Sequence, residues 1–172
     1  MAISLYDVSI ANYLQTLGAV SHFLERAAGH CREHGIALDE LVDARIHPDM
    51  LPFHFQIHSV VHHSLGTVRA IEQGTFMPSR GQREDYAALQ AKVGQVLDML
   101  GHITPEQFNA RESAEVTFEA GERKLRFTAA DFVLSFSLPN LYFHATTAYD
   151  ILRGKGVPLG KRDFMGRLRI QR

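Results

Sequence analysis

Apolar residues recur at three- and four-residue steps through Ile10, Tyr13, Leu14, Leu17, Val20, Leu24, Ala27 and Cys31. That period keeps one stripe of a helix against a core. Gly35 ends this first long helix, and Asp39 can cap a short turn through Leu41 and Val42. His47-Pro48-Asp49 reads as the start of a second long helix, with proline at its first position, running to about Gln73 and stopping at Gly74. Residues 74–83 are rich in Gly, Pro, Ser and Gln and form a surface connection. A third helix buries Tyr86, Leu89, Val93, Val96, Leu97 and Leu100 and ends at Gly101, and Thr104-Pro105-Glu106-Gln107 adds a capped turn.

The period then changes. Val116 and Phe118 alternate with polar neighbours, Ala120-Gly121 supplies a turn, and Leu125 and Phe127 alternate again, which predicts a small β-hairpin. A lone hairpin is marginal in water, so it must pack on the helices. Thr128 can cap the last helical region, which holds Phe132, Val133, Phe136, Tyr142, Phe143, Ala148, Ile151 and Leu152 and meets Pro139. Pro139 lacks a backbone donor and should kink or split that helix. Gly154 and Gly156 end it, and a polar tail follows from Val157 to Arg172.

With 172 residues, 45% hydrophobic and 22% charged, the chain suits one domain spanning 1–172 with a sizeable core. A net charge of −1 and the absence of long basic runs leave no positive field for phosphate contacts, so nucleic acid is not an expected partner. No apolar run approaches the roughly 18 residues that cross a bilayer. The single cysteine, Cys31, cannot close an internal disulfide, and the first residues lack a secretory pattern, so a cytoplasmic location is expected. Ten histidines direct attention to a metal site.

The segment 138–153, LPNLYFHATTAYDILR, followed by 156–166, GVPLGKRDFMG, resembles the signature of a domain-of-unknown-function branch of the DinB/YfiT-like superfamily. The resemblance is close in this C-terminal third and loose over the remaining length, including the PDMLP stretch at 48–52. It implies an all-α, DinB-like four-helix bundle of up-down-down-up type with a small β-hairpin before the last helix. It also implies frequent homodimers and a capacity to bind a divalent metal through three histidines, which some relatives use to activate a thiol cofactor. In metal-binding relatives one histidine comes from the second helix and a His-x-x-x-His pair from the last. Here the last helix carries His144, but Ala148 stands four residues on.

His54, His58 and His62 fall at successive four-residue steps on the second helix. Side chains four apart stack on one face, so two of them can reach one ion at about 2.0 to 2.1 Å. All three cannot, because His54 and His62 lie about 12 Å apart along the axis at roughly 1.5 Å per residue. The expected metal set is His54, His58 and His144, with His62 in place of His54 as runner-up, for zinc, nickel or manganese. The competing reading makes these histidines hydrogen-bonded side chains of a polar seam or dimer interface, with no cofactor.

Gln56 and His63 belong to the opposite, more polar face and are expected to be solvated. Asn140, one turn before His144, could orient it. Tyr142, Phe143, Tyr149 and Cys31 are expected in the core, and Gly160-Lys161-Arg162-Asp163 as a loop pinned by a basic residue on Asp163. Two functions follow: a dimeric module binding a small molecule or protein, or a metal-dependent thiol-transfer or hydrolytic enzyme.

Overall fold

A computed structural model describes residues 3–79 and 81–170. Met1, Ala2, Arg80, Gln171 and Arg172 lie outside the described residues, so the expected surface connection and polar tail are described only in part. The chain is mostly helical, with a small three-stranded sheet.

A short α1 (Leu5–Val8), closed by a Ser4–Asp7 capping box, leads into α2 (Ile10–His34). The α2 stripe expected from sequence is buried at Ile10, Tyr13, Leu17, Val20, Leu24, Ala27 and Cys31, and Gly35 ends the helix with φ +66. A positive φ is cheap only for glycine. Next come α3 (Leu38–Val42), which Ala37 precedes without a side-chain cap, and then α4 (Phe53–Val61). The second long helix therefore begins five residues after Pro48. Pro52 sets the boundary: a residue before proline avoids the helical region, so Leu51 cannot belong to a helix that continues through Pro52.

That helix is not uniform. A π-helical turn, π1 (His62–Gly66), separates α4 from α5 (Thr67–Gln73), which ends at Gly74 as expected. After β1 (Thr75–Phe76), Asp85 caps α6 (Tyr86–Gly101), and a Thr104–Gln107 capping box starts α7 (Pro105–Asn109). The hairpin is β2 (Glu115–Ala120) and β3 (Arg123–Thr128), turning at Gly121 and pairing Val116 with Phe127 and Phe118 with Leu125. Its unexpected third strand is β1, parallel to β2 with Phe76 opposite Phe118. Two residues are too short to show an alternating pattern in sequence, so this strand is invisible there.

Thr128 caps α8 (Ala129–Asp131), followed by a second π turn, π2 (Phe132–Ser137), then α9 (Leu138–Gly154) and α10 (Lys161–Met165). Pro139 falls in the first turn of α9, immediately after π2. The predicted break is thus a change of helical winding. The long helices pack in a ring, α2 on α6, α6 on α4, α4 on α9 and α9 on α2. Because α4 has neighbours on several sides, Phe53, Gln56, Ile57, His58, Ser59 and Val60 are all buried.

Candidate functional site

The two π turns face each other through buried hydroxyls. A π turn widens the helix and displaces carbonyls from their usual partners, and such turns concentrate at functional sites. Ser137 Oγ donates to the His63 carbonyl at 2.6 Å. Its one proton being spent, Ser137 accepts from Thr67 Oγ1 and from Tyr13 Oη, each at 2.9 Å. Tyr13, Thr67 and Ser137 are all buried, and burial raises the Tyr13 phenol above its ordinary value, so it stays a neutral donor. This clasp fixes π1 against π2 at the His63 carbonyl.

His63 faces the last helix. Its ring lies nearly parallel to that of His144, at 11° with centroids 5.9 Å apart. It is 8% exposed, its Nδ1 is buried without a partner, and it forms no side-chain hydrogen bond among the described residues. Burial, with smaller contributions from His62 and His144, pushes its pKa down to about 3. His144 is held differently, since its Nδ1 lies 2.7 Å from Gln56 Oε1. Gln56 Nε2 donates to the Leu51 carbonyl at 2.8 Å. That carbonyl can only accept, so Gln56 must turn its nitrogen there and its oxygen to His144. Nδ1 of His144 therefore carries the proton and Nε2 keeps a lone pair. Burial lowers the His144 pKa to about 4.

Both histidines line a cavity of about 220 Å³ between π1, π2, α9 and the sheet, walled by Phe55, Phe76, Phe118 and Phe136. Phe118 and Phe136 are 5.1 Å apart, and Phe76 meets Phe136 edge-on at 5.8 Å.

The expected ligands His54, His58 and His144 are not gathered. His58 turns toward α6, where its Nε2 donates to the Gln82 carbonyl and its Nδ1 accepts from Lys92 Nζ at 3.2 Å. Lys92 in turn pairs with Glu84 at 2.6 Å. The His54 and His58 rings meet edge-on at 6.1 Å. The runner-up His62 donates to the Met77 carbonyl at 2.9 Å and packs on Phe76 at 4.3 Å. His62 and Ser79 separate the aromatic cavity from a second one, of about 300 Å³, that contains His58 and Lys92.

The donor sets do not fit the superfamily's three-histidine metal site. His58 has both nitrogens engaged, one of them by an ammonium group, and of the three imidazoles at the aromatic cavity His62 is turned to the Met77 carbonyl, leaving His144 with His63 alone and no carboxylate among the described lining residues. Among the described residues no group of three His, Cys, Asp or Glu side chains could hold an ion.

Other expectations shift with these placements. Gln56 and His63 are buried against α9 rather than solvated. The residue that orients His144 is Gln56, because Asn140 Nδ2 donates to the Phe136 carbonyl one turn back. Tyr142 and Phe143 are 42% and 58% exposed rather than core, whereas Tyr149 is partly buried and Cys31 buried. Gly160 to Asp163 opens α10 rather than a loop, and Asp163 is pinned by Arg26 at 2.9 Å and His22 at 3.1 Å from α2. The seven-residue spacing of Gln56 and His63 was the available signal for the site. It places both on one helix face, but not which face is covered.

The fold places the protein with DinB-type helical proteins. A solved structure of a DinB family member from Shewanella denitrificans superposes with a TM-score of 0.76 at 23% identity, covering 98% of this chain and 95% of that one. Residues 5–165 match the domain of unknown function DUF1993, and the chain belongs to that family. No curated protein matches it.

Proposed function

We propose that this protein is a cytosolic, dimeric, single-domain binding module whose long helices form a DinB-type four-helix bundle and whose aromatic cavity holds a small molecule. The observation that carries this reading is the pair His63 and His144. Among the described residues, one is buried without a side-chain hydrogen bond and the other is fixed so that Nε2 has no protein partner, in a cavity walled by phenylalanines. Apolar pockets with a few convergent polar groups are the usual form of a ligand site. Binding is favoured over catalysis because imidazoles with pKa values of about 3 and 4 are weak bases at neutral pH.

Exposed Leu134, Tyr142 and Phe143 supply apolar surface for a second copy, and the single buried thiol of Cys31 suits a reducing compartment. Ligand-observed NMR with small aromatic probes tests the cavity. Saturation transfer in the wild type, lost in Asn140→Phe, which fills the cavity from α9, is the expected result. Equal transfer in both proteins would reject the site.

The second reading is a metal-dependent enzyme of thiol-transfer or hydrolytic type built on His58 and His144 with His54, or with His62 in place of His54. In its favour is the fixed Nδ1–H tautomer of His144, since metal-binding histidines commonly donate their other ring nitrogen to an oxygen. It requires His58 to leave Gln82 and Lys92. Near-stoichiometric zinc, nickel or manganese in untagged protein, lost in His144→Ala, would establish it over the binding module.

A further inference from the structure

The charge and hydrogen-bonding state of the cavity narrow what can occupy it. Among the described residues, none of the side chains lining it is Asp, Glu, Lys or Arg. A charged ligand would therefore leave water without a countercharge to meet it, a cost of several kcal/mol or more. The walls favour a flat ring, because Phe76, Phe118 and Phe136 present both faces and edges to the same space. The volume, about 220 Å³, lies below the roughly 300 to 1,000 Å³ of pockets for drug-sized ligands. One or two fused rings is the matching scale.

The polar end is more selective. His144 Nδ1–H is committed to Gln56, whose own orientation is dictated by the Leu51 carbonyl. Nε2 of His144 can then only accept. His63 has no such constraint: neither of its nitrogens is tied to another side chain or carbonyl among the described residues, so its proton can sit on either. A ligand acceptor can be served by His63, but a ligand group that meets His144 Nε2 must be a donor.

We infer that the cavity selects neutral, planar ring compounds carrying an O–H or N–H donor, of the phenol or indole class, with His144 Nε2 accepting that proton's hydrogen bond. The inference rests on the reading of the cavity as a ligand site, and it adds the chemistry of the ligand. No bond is made or broken, and the donor keeps its proton.

The test compares phenol, anisole and toluene against the full chain at pH 7.5, with His144 ring nitrogens followed by ¹⁵N NMR. Phenol should bind at least tenfold tighter than anisole or toluene and shift the Nε2 resonance of His144. His144→Phe should still bind toluene but lose the preference for phenol. Equal affinity for all three, or a phenol preference that survives in His144→Phe, overturns the donor selectivity while leaving the cavity a ligand site. No binding of any of them at millimolar concentration overturns the cavity as a ligand site as well. The wild-type comparison and the nitrogen shift decide the matter even if the variant does not fold.

Discussion

A glutamine side chain fixes the tautomer of the histidine it serves. Gln56 is 2% exposed and bridges the Leu51 carbonyl to His144, so Gln56→Leu removes two part-buried hydrogen bonds at once. Each such bond is worth about 0.5–1.5 kcal/mol net, and a loss of about 1–3 kcal/mol in urea melts is expected. A merely structural role would stop there. The positioning role adds a second outcome: the ¹⁵N spectrum of His144 should change from a single Nδ1–H tautomer to a mixture. An unchanged tautomer would mean that something other than Gln56 sets it. Gly81 makes a different demand, with φ +57 and a position where an added Cβ would lie 3.1 Å from the His58 ring. That ring is held at both nitrogens and cannot easily yield. Gly81→Ala should therefore cost about 1–3 kcal/mol, the left-handed penalty of about 1–2 plus the clash, measurable by thermal or urea denaturation.

At the scale of elements, the two π turns decide what was legible. The α2 stripe, the Gly35 and Gly74 stops, the Thr104 and Thr128 caps and the β2–β3 hairpin all follow from local spacing and turn chemistry, and the structure reproduces them. A regular 3.6-residue wheel fails where winding changes. His63 lies inside π1, a turn that no apolar spacing in the sequence announces. Gln56 was missed for another reason. The wheel finds a polar face, but only the tertiary arrangement shows that α9 covers it. The clasp across the π turns is testable through Ser137→Ala, which removes the partner shared by Tyr13, Thr67 and the His63 carbonyl. Thr67 Oγ1 keeps the His63 carbonyl as a partner at 3.3 Å, so a loss of about 1–3 kcal/mol is expected, chiefly from the stranded Tyr13 hydroxyl and the rearranged clasp. Tyr13→Phe, which deletes one outer member only, should cost nearer 1 kcal/mol. Equal effects would show that the hydroxyls do not act as one network.

Across the whole molecule, five histidines are driven in one direction. His54, His58, His62, His63 and His144 all have lowered pKa values, burial being the first cause in every case. The fold therefore keeps them neutral, while the unfolded chain takes up protons as pH falls through 6.5, their ordinary value. Stability is complete above that pH and declines below it, continuing until the folded pKa values, about 4 for His144 and about 3 for His63, are reached. The carboxylates Asp7, Asp43, Asp163 and Glu106 also have lowered pKa values, but their contribution is lost only near and below their ordinary values of 3.8 for Asp and 4.5 for Glu. The interval from pH 7.5 to 5 thus isolates the histidines. Within it His63 alone accounts for about 2 kcal/mol, since unfolded His63 gains its proton over roughly 1.5 units while the folded ring does not, at about 1.4 kcal/mol per unit. Urea midpoints should fall steadily from pH 7.5 to 5 in the wild type, and His63→Gln should lose about 2 kcal/mol less over the same range. A flat wild-type profile would mean that the imidazoles titrate as freely in the fold as in the open chain, and the neutral cavity that donor selectivity depends on would go with it.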